Sequence, residues 1–281
     1  MMRAKKRRGT KLWKVILILI LVVLCAITLD STFRLSAEEY DITFSSLPPA
    51  FEGFKIVQIS DIHGREFGEG NEHLLEKVSG AEPDIIVITG DMADDKTDMS
   101  FAYPLLSGLM EIAPTYYVTG NHEYDSADLD GLLEVIYQCG VTFLDNEYVM
   151  LERDGQEIAL VGVSDPNGRA DMLTPEELMD IVRQNEGDCF TIVLNHRNNR
   201  LQRFADLGAD LVISGHAHGG IIRLPFTDGL IGPAREILPD YTNGIYTQGS
   251  TVMFVSRGLA GHLRFLNNPH LPIITLHSSA A

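Results

Sequence analysis

The chain has 281 residues, 45% of them hydrophobic and 22% charged, with 22 Lys and Arg against 39 Asp and Glu for a net charge of −17. That length fits one large domain or two modest ones, and the apolar fraction suffices for a packed core, so disordered, collagen-like and disulfide-dense classes are excluded. The charge is unevenly placed: the first fourteen residues hold seven basic side chains (Arg3, Lys5, Lys6, Arg7, Arg8, Lys11, Lys14) and no acidic one, which leaves −24 on the remainder. An acidic body of that size repels polyphosphate backbones, and nucleic acid is not an expected partner.

Residues 1–14 read as a basic cytoplasmic segment. The run Val15 to Leu29 carries no charge, and residues 15–30 are expected to form a signal anchor, a single transmembrane helix. Fifteen helical residues reach only about 22 Å of a hydrocarbon core of about 30 Å. Leu12 and Trp13 extend the run, with Lys14 snorkelling. The positive end stays in the cytoplasm, so the predicted location is the cell membrane, single-pass, with everything after Asp30 extracytoplasmic. A cleaved signal peptide fits less well, because Leu35 stands where a small residue is needed before a cut after Ala37. Arg7-Arg8 also admits a twin-arginine export signal, which the following Gly9-Thr10-Lys11-Leu12 matches poorly.

Residues 31–54 read as a stalk and an edge strand, Tyr40 to Phe44, interrupted at Pro48-Pro49. From residue 55 to 281 one catalytic domain is expected. Short apolar strands are predicted at Lys55–Ser60, Pro83–Ile88, Thr115–Thr119, Ile158–Val163, Thr191–Leu194 and Asp210–Ser214. Helices are predicted around Leu74–Val78, at Leu129–Gln138 and at Pro175–Asn185. Thr174, Pro175 and Glu177 supply the last of these with a capping box and a proline at its first position. Strands alternating with helices give an α/β fold. Cys139 and Cys189 are expected to be buried free thiols, and no CxxC spacing occurs.

The polar residues fall in an informative place. Apolar strands end repeatedly in Asp, Asn or His: Asp61 and His63, Asp91, Asn121 and His122, His196, His216 and His218. Loops at the carboxyl ends of strands build ligand sites in α/β proteins. Singly, Asp-x-His or Gly-Asp is a common turn, but five such turns in order point to one cluster. Imidazole, carboxylate and amide oxygen without thiolate suit a divalent metal such as Mn, Fe or Zn. So many candidate ligands exceed one tetrahedral ion and suit two ions sharing a carboxylate.

The series Asp61-Ile-His63, Gly90-Asp-Met-Ala-Asp94, Gly120-Asn-His-Glu123, Asn195-His196 and Gly215-His-Ala-His218 resembles the calcineurin-like metallophosphoesterase family. The resemblance implies a four-layer α-β-β-α sandwich of two mixed sheets. It implies that Asp61, His63, Asp91 and His218 hold one metal, and that Asp91 as bridge, Asn121, His196 and His216 hold the second. His122 would be an acid that protonates the leaving oxygen, and Asp94 matches a position that orients such a histidine. The stretches Gly215 to Pro225, Ser256 to Leu259 and Leu263 to Pro269 look like the membrane-anchored bacterial subgroup, some members of which act on cell-envelope phosphoesters. Two departures stand out: His270-Leu271 where the subgroup has Pro-Glu, and Arg197-Asn-Asn-Arg200 after the histidine of the second metal.

The resulting expectation is a di-metal-dependent phosphoesterase acting on a phosphomonoester, phosphodiester or pyrophosphate, of a cell-envelope lipid or a nucleotide-linked sugar. A membrane-tethered, metal-containing binding or sensing domain without turnover is the competing class. Arg65, Arg197, Arg200 and Arg257 are candidate phosphate contacts, and Phe67 and Met92 candidate pocket residues.

Overall fold

The computed structural model describes residues 6–94, 97, 99–125, 128–168, 172–224, 227–232, 235–260 and 263–279. Arg3 and Lys5 of the basic segment, and Pro225, lie outside the described residues. The chain opens with α1 (Lys6–Phe33), followed by β1 (Ser36–Phe44), β2 (Phe54–Ile59), α2 (Glu72–Gly80) and β3 (Ile85–Thr89). Next come α3 (Ala102–Ile112), β4 (Thr115–Val118), α4 (Asn121–Asp125), α5 (Leu129–Cys139), β5 (Thr142–Phe143), β6 (Glu147–Arg153) and β7 (Gln156–Val163). The remainder is α6 (Pro175–Glu186), β8 (Thr191–Asn195), α7 (Leu201–Asp206), β9 (Leu211–Ser214), β10 (Gly244–Gln248), β11 (Thr251–Val255) and β12 (His270–Ser278).

The strands form two six-stranded mixed sheets, ordered β1-β12-β2-β3-β4-β5 and β10-β11-β9-β8-β7-β6. Strand periodicity explains why they stack. In β3, Ile85 and Val87 point between the sheets while Ile86 and Ile88 point to the helices. β9 does the same from the other side, with Leu211 and Ile213 between the sheets and Val212 outward. A strand apolar on both faces must be covered on both faces. α2, α3 and α5 cover the outside of the first sheet, and α6 and α7 that of the second. The four-layer sandwich follows. The capping box of α6 is present, with Thr174 Oγ1 accepting from Glu177 N at 3.2 Å and the Glu177 carboxylate accepting from Thr174 N at 2.8 Å.

Three features differ from the sequence reading. The N-terminal helix continues past both ends of residues 15–30, and its apolar part, Leu12–Phe33, counts 22 residues, exposed or half-exposed except for Ser31 and Thr32 near its end, which are buried. At a rise of about 1.5 Å per residue this is about 33 Å, enough for the hydrocarbon core. The edge strand is longer than Tyr40–Phe44, because it pairs in parallel over nine residues with β12. Cys139 and Cys189 are free, as expected, but half-buried. They lie against different outer helix layers.

The end of α1 is fastened to the domain. Ser31 Oγ accepts from Leu266 N at 2.9 Å and Thr32 Oγ1 from Arg264 N at 3.2 Å. Asn268 Nδ2 donates to the Asp30 carbonyl at 2.8 Å, and Arg65 Nη2 to that of Thr32 at 2.7 Å.

Candidate metal centre

β2, β3 and β4 are adjacent and parallel in the first sheet, as are β8 and β9 in the second. Their carboxyl ends therefore lie along one edge of each sheet, and stacking brings the two edges together. Gln58 in β2 stitches them, donating to Thr89 Oγ1 at 2.7 Å and across to the Ser214 carbonyl at 2.9 Å. The turn after each strand then supplies a polar side chain to one place.

Asp61, His63, Asp91 and His218 form one cluster, and Asp91, His196 and His216 a second, with donor atoms in each within 4.8 Å of one another. Asp91 belongs to both. Its Oδ2 lies 3.1 Å from His196 Nε2 and 3.8 Å from His63 Nε2. His218 Nε2 is 3.5 Å from Asp61 Oδ1, and His196 Nε2 is 3.1 Å from His216 Nδ1. Asn121 Oδ1 is shut off from solvent and meets no hydrogen-bond partner among the described residues. An orphaned acceptor of that kind costs about 1–3 kcal/mol unless a cation or donor reaches it.

The backbone is shaped for this convergence. Asp61, His63, Asp91, His216 and His218 all have positive φ, between 47° and 67°. Such a conformation is uncommon outside glycine and clusters at functional sites. The turns also pass too close for a side chain at two glycines. A Cβ on Gly120 would lie 2.3 Å from Asp91 Oδ1, and one on Gly258, itself at φ +66°, 2.6 Å from Asp61 Cβ.

Electrostatics follow from burial and crowding. Burial raises the pKa of Asp61 to about 6, with His196 pulling it down and Asp91 pushing it up. For Asp91 burial acts in the same direction, but the imidazoles of His196 and His63 outweigh it and hold the carboxyl well below its ordinary value. Burial opposes charge on His196, yet the two carboxylates lift it to about 10. Burial and the neighbouring His196 together lower His216 to about 4. His196 Nδ1 faces the Thr89 carbonyl at 2.7 Å. A carbonyl only accepts, so Nδ1 carries the hydrogen and Nε2 is turned to Asp91.

His122 sits beside the first cluster. Its backbone N donates to Asp91 Oδ1 at 2.9 Å, and its ring meets that of His63 edge-on, centroids 4.8 Å apart. Asp94 lies on the same turn as Asp91 and accepts from Thr97 Oγ1 at 2.9 Å. The sequence reading gave no role to Glu123 or Ser60. Glu123 is fully buried and accepts from the backbone of Asp91, Met92 and Gly120 at 2.6–2.9 Å, tying the turn after β3 to the turn after β4. Burial raises its pKa, as does Asp91. Ser60 Oγ donates to Asp61 Oδ2 at 2.5 Å. The signal for Glu123 was an acid directly after a histidine at the end of an apolar strand, too near the core to be solvated.

Three of the four arginines considered for phosphate are engaged elsewhere. Arg65 holds the end of α1 and the carbonyls of Leu259 and Ala260. Arg197 forms a bidentate pair with Asp165 at 2.7 and 2.9 Å. Arg257 pairs with Glu38 on β1 and with Asn243. Arg200 is half-buried, its pKa lowered by burial. Phe67 and Met92 are buried in the core of the first helix layer. His270, the departure noted in the sequence, accepts from Arg257 N at 3.2 Å. Burial keeps it neutral.

The calcineurin-like phosphoesterase family profile matches residues 54–220. The chain belongs to the calcineurin-like phosphoesterase family. It is 31% identical over 250 residues to the metallophosphoesterase YkuE of Bacillus subtilis, covering 86% of this chain and 85% of that protein. It is 26% identical to the phosphodiesterase YaeI of Escherichia coli, over 79% of this chain and 82% of the other. A transmembrane protein with a metallophosphoesterase domain from Bos taurus is 32% identical over 78% of this chain; the chain spans about half of that longer protein, 51%. This phosphoesterase is accordingly a metal-dependent phosphoric ester hydrolase, with an Asp/His cluster able to hold metals and an N-terminal helix able to anchor it in a membrane.

Proposed function

We propose that this phosphoesterase hydrolyses a phosphomonoester, phosphodiester or pyrophosphate of a cell-envelope lipid or nucleotide-linked sugar, from the outer side of the cell membrane. Asp61, His63, Asp91 and His218 would hold one divalent cation. Asp91, Asn121, His196 and His216 would hold the other. The observation that carries this reading is the shared position of Asp91 in both clusters, together with the unpartnered Oδ1 of Asn121. Nitrogen and oxygen donors without thiolate favour Mn, Fe or Zn.

When bound, such cations supply neutralising charge for the phosphoryl oxygens and acidify a water. The chain supplies the rest. Thr89 fixes the tautomer of His196, and the backbone of His216 and the hydroxyl of Ser60 fix the rotamer of Asp61. Glu123 fixes the backbone that presents Asp91 and Asn121. His122, exposed enough to meet substrate and held by its own N–H to Asp91, would deliver a proton to the departing oxygen. Asp94 would help to orient it.

The test is hydrolysis of bis-p-nitrophenyl phosphate with Mn²⁺ supplied and then chelated, followed by a panel of mono-, di- and pyrophosphate substrates. Turnover that does not respond to metal defeats the proposal. Protease digestion of intact cells checks the topology: residues after Asp30 should be cleaved, and protection would place the domain inside.

A further inference from the structure

Among the described residues after α1, ten large apolar side chains are exposed, and six of them fall in two loops: Leu224, Ile231, Ile237 and Leu238, with Leu263 and Leu266. Ile237 is 81% exposed, Leu263 75% and Leu238 67%. Single exposed leucines are ordinary, but a cluster of this kind marks a binding surface.

The two loops are one unit. Arg223 N donates to the Phe265 carbonyl at 3.0 Å, and Ile222 bridges Phe265 in parallel. Leu230 N then donates to the Ile222 carbonyl and Leu238 N to that of Leu230, each at 2.9 Å, while Ile231 bridges Ile237. The unit is bolted to the membrane helix through the bonds from Leu266 N to Ser31 and from Arg264 N to Thr32. It is therefore held where the apolar span ends, beside Leu29 and Phe33, which are 54% and 67% exposed. Its other root is the metal centre: the first loop starts from His218-Gly219-Gly220, and Asn267 Nδ2 donates to the His218 carbonyl at 2.8 Å.

We propose that these loops form a lip that inserts into the lipid bilayer next to α1, in the leaflet where the helix emerges. Continuity with the span selects lipid over a second protein. Residues fixed at the end of a transmembrane helix meet acyl chains before any other apolar surface, and moving each exposed apolar side chain out of water is favourable. The lip gives the domain a second point of attachment and fixes its orientation.

The chain has one tryptophan, Trp13, which makes a direct test available. In the full chain with Trp13→Phe, a single tryptophan is introduced as Ile237→Trp, Leu263→Trp or, on the exposed face of α5, Tyr137→Trp (64% exposed). Each protein is reconstituted in phosphatidylcholine vesicles with brominated acyl chains, after circular dichroism confirms a fold like the parent's. Tryptophan at 237 and 263 should emit to the blue and lose most of its emission to bromine, while that at 137 keeps it. Equal quenching at all three positions overturns the proposal. A blue-shifted but unquenched signal at 237 and 263 also overturns it, and points to a second copy of the chain as the occupant. The readout is independent of turnover, so its failure is separable from failure of the hydrolase reading.

Discussion

The two sheets make unequal contributions to the metal centre. The first presents Asp61, His63, Asp91 and Asn121 from β2, β3 and β4, and so brings both carboxylates. The second presents only imidazoles, His196, His216 and His218, from β8 and β9. Neither sheet alone offers a balanced site. Two carboxylates close together resist ionisation, and three imidazoles hold no anion to attract a cation. Stacking cures both defects, as the opposed shifts of Asp91 and His196 show. The candidate centre is thus also a clamp between the two sheets.

The sharpest way to break this arrangement is Asp91→Asn, which removes the carboxylate common to both clusters. Metal analysis should find both ions lost, and turnover should fall by on the order of a thousandfold or more, since cation charge is worth several kcal/mol. His122→Gln leaves the proposed ligands of both sheets untouched. Metal content should stay at the parent level while turnover drops about 10²–10⁴-fold, most for poor leaving groups. Loss of metal in that variant would move His122 into the ligand set. Glu123→Gln attacks only the first sheet's bracing. It should weaken metal affinity by about 10–100-fold, as outer-shell partners do, and calorimetric titration of the metal reads it.

The smallest effect tests a second link between the sheets, Glu38 on β1 with Arg257 after β11. Burial works against ionisation of Glu38, but Arg257 holds its pKa down at about 2. A depressed carboxyl stabilises the fold above its unfolded value of about 4.3 and loses that stabilisation as pH falls toward 2. With 35% of the Glu38 side chain exposed, solvent screening limits the pair to about 1 kcal/mol or less. Glu38→Gln should lower the denaturation midpoint at pH 7, and the difference from the parent should shrink as the pH drops from 4 to 2.

The catalytic edge was legible in the sequence because its evidence is local. A short apolar run followed at once by Asp, Asn or His announces both a strand and its functional end. β2, β3, β4, β8 and β9 appear within two residues of where that pattern puts them, and β7, predicted from its apolar run alone, does too. The capping box of α6 is equally local. What stayed hidden is long-range. No pattern in His270–Ser278 says that β12 lies between β1 and β2, antiparallel to one and parallel to the other. Nor do Ser31 and Thr32 announce that their hydroxyls accept from backbone more than 230 residues later. The candidate phosphate arginines misled for a related reason: a charge in a motif looks free until its distant partner, such as Glu38 for Arg257, is known.

The place of β12 has a consequence for biogenesis. Among the described strands it stands last in chain order, yet it occupies the second position of a sheet whose outer neighbour, β1, stands first. Until residues 270–278 emerge, β1 hangs from the membrane helix without a partner and β2 shows a raw, apolar edge. Such edges recruit other chains. Ribosome stalling or truncation before residue 270 should therefore yield a tethered, aggregation-prone half-sheet, because β1 and β2 meet only through β12.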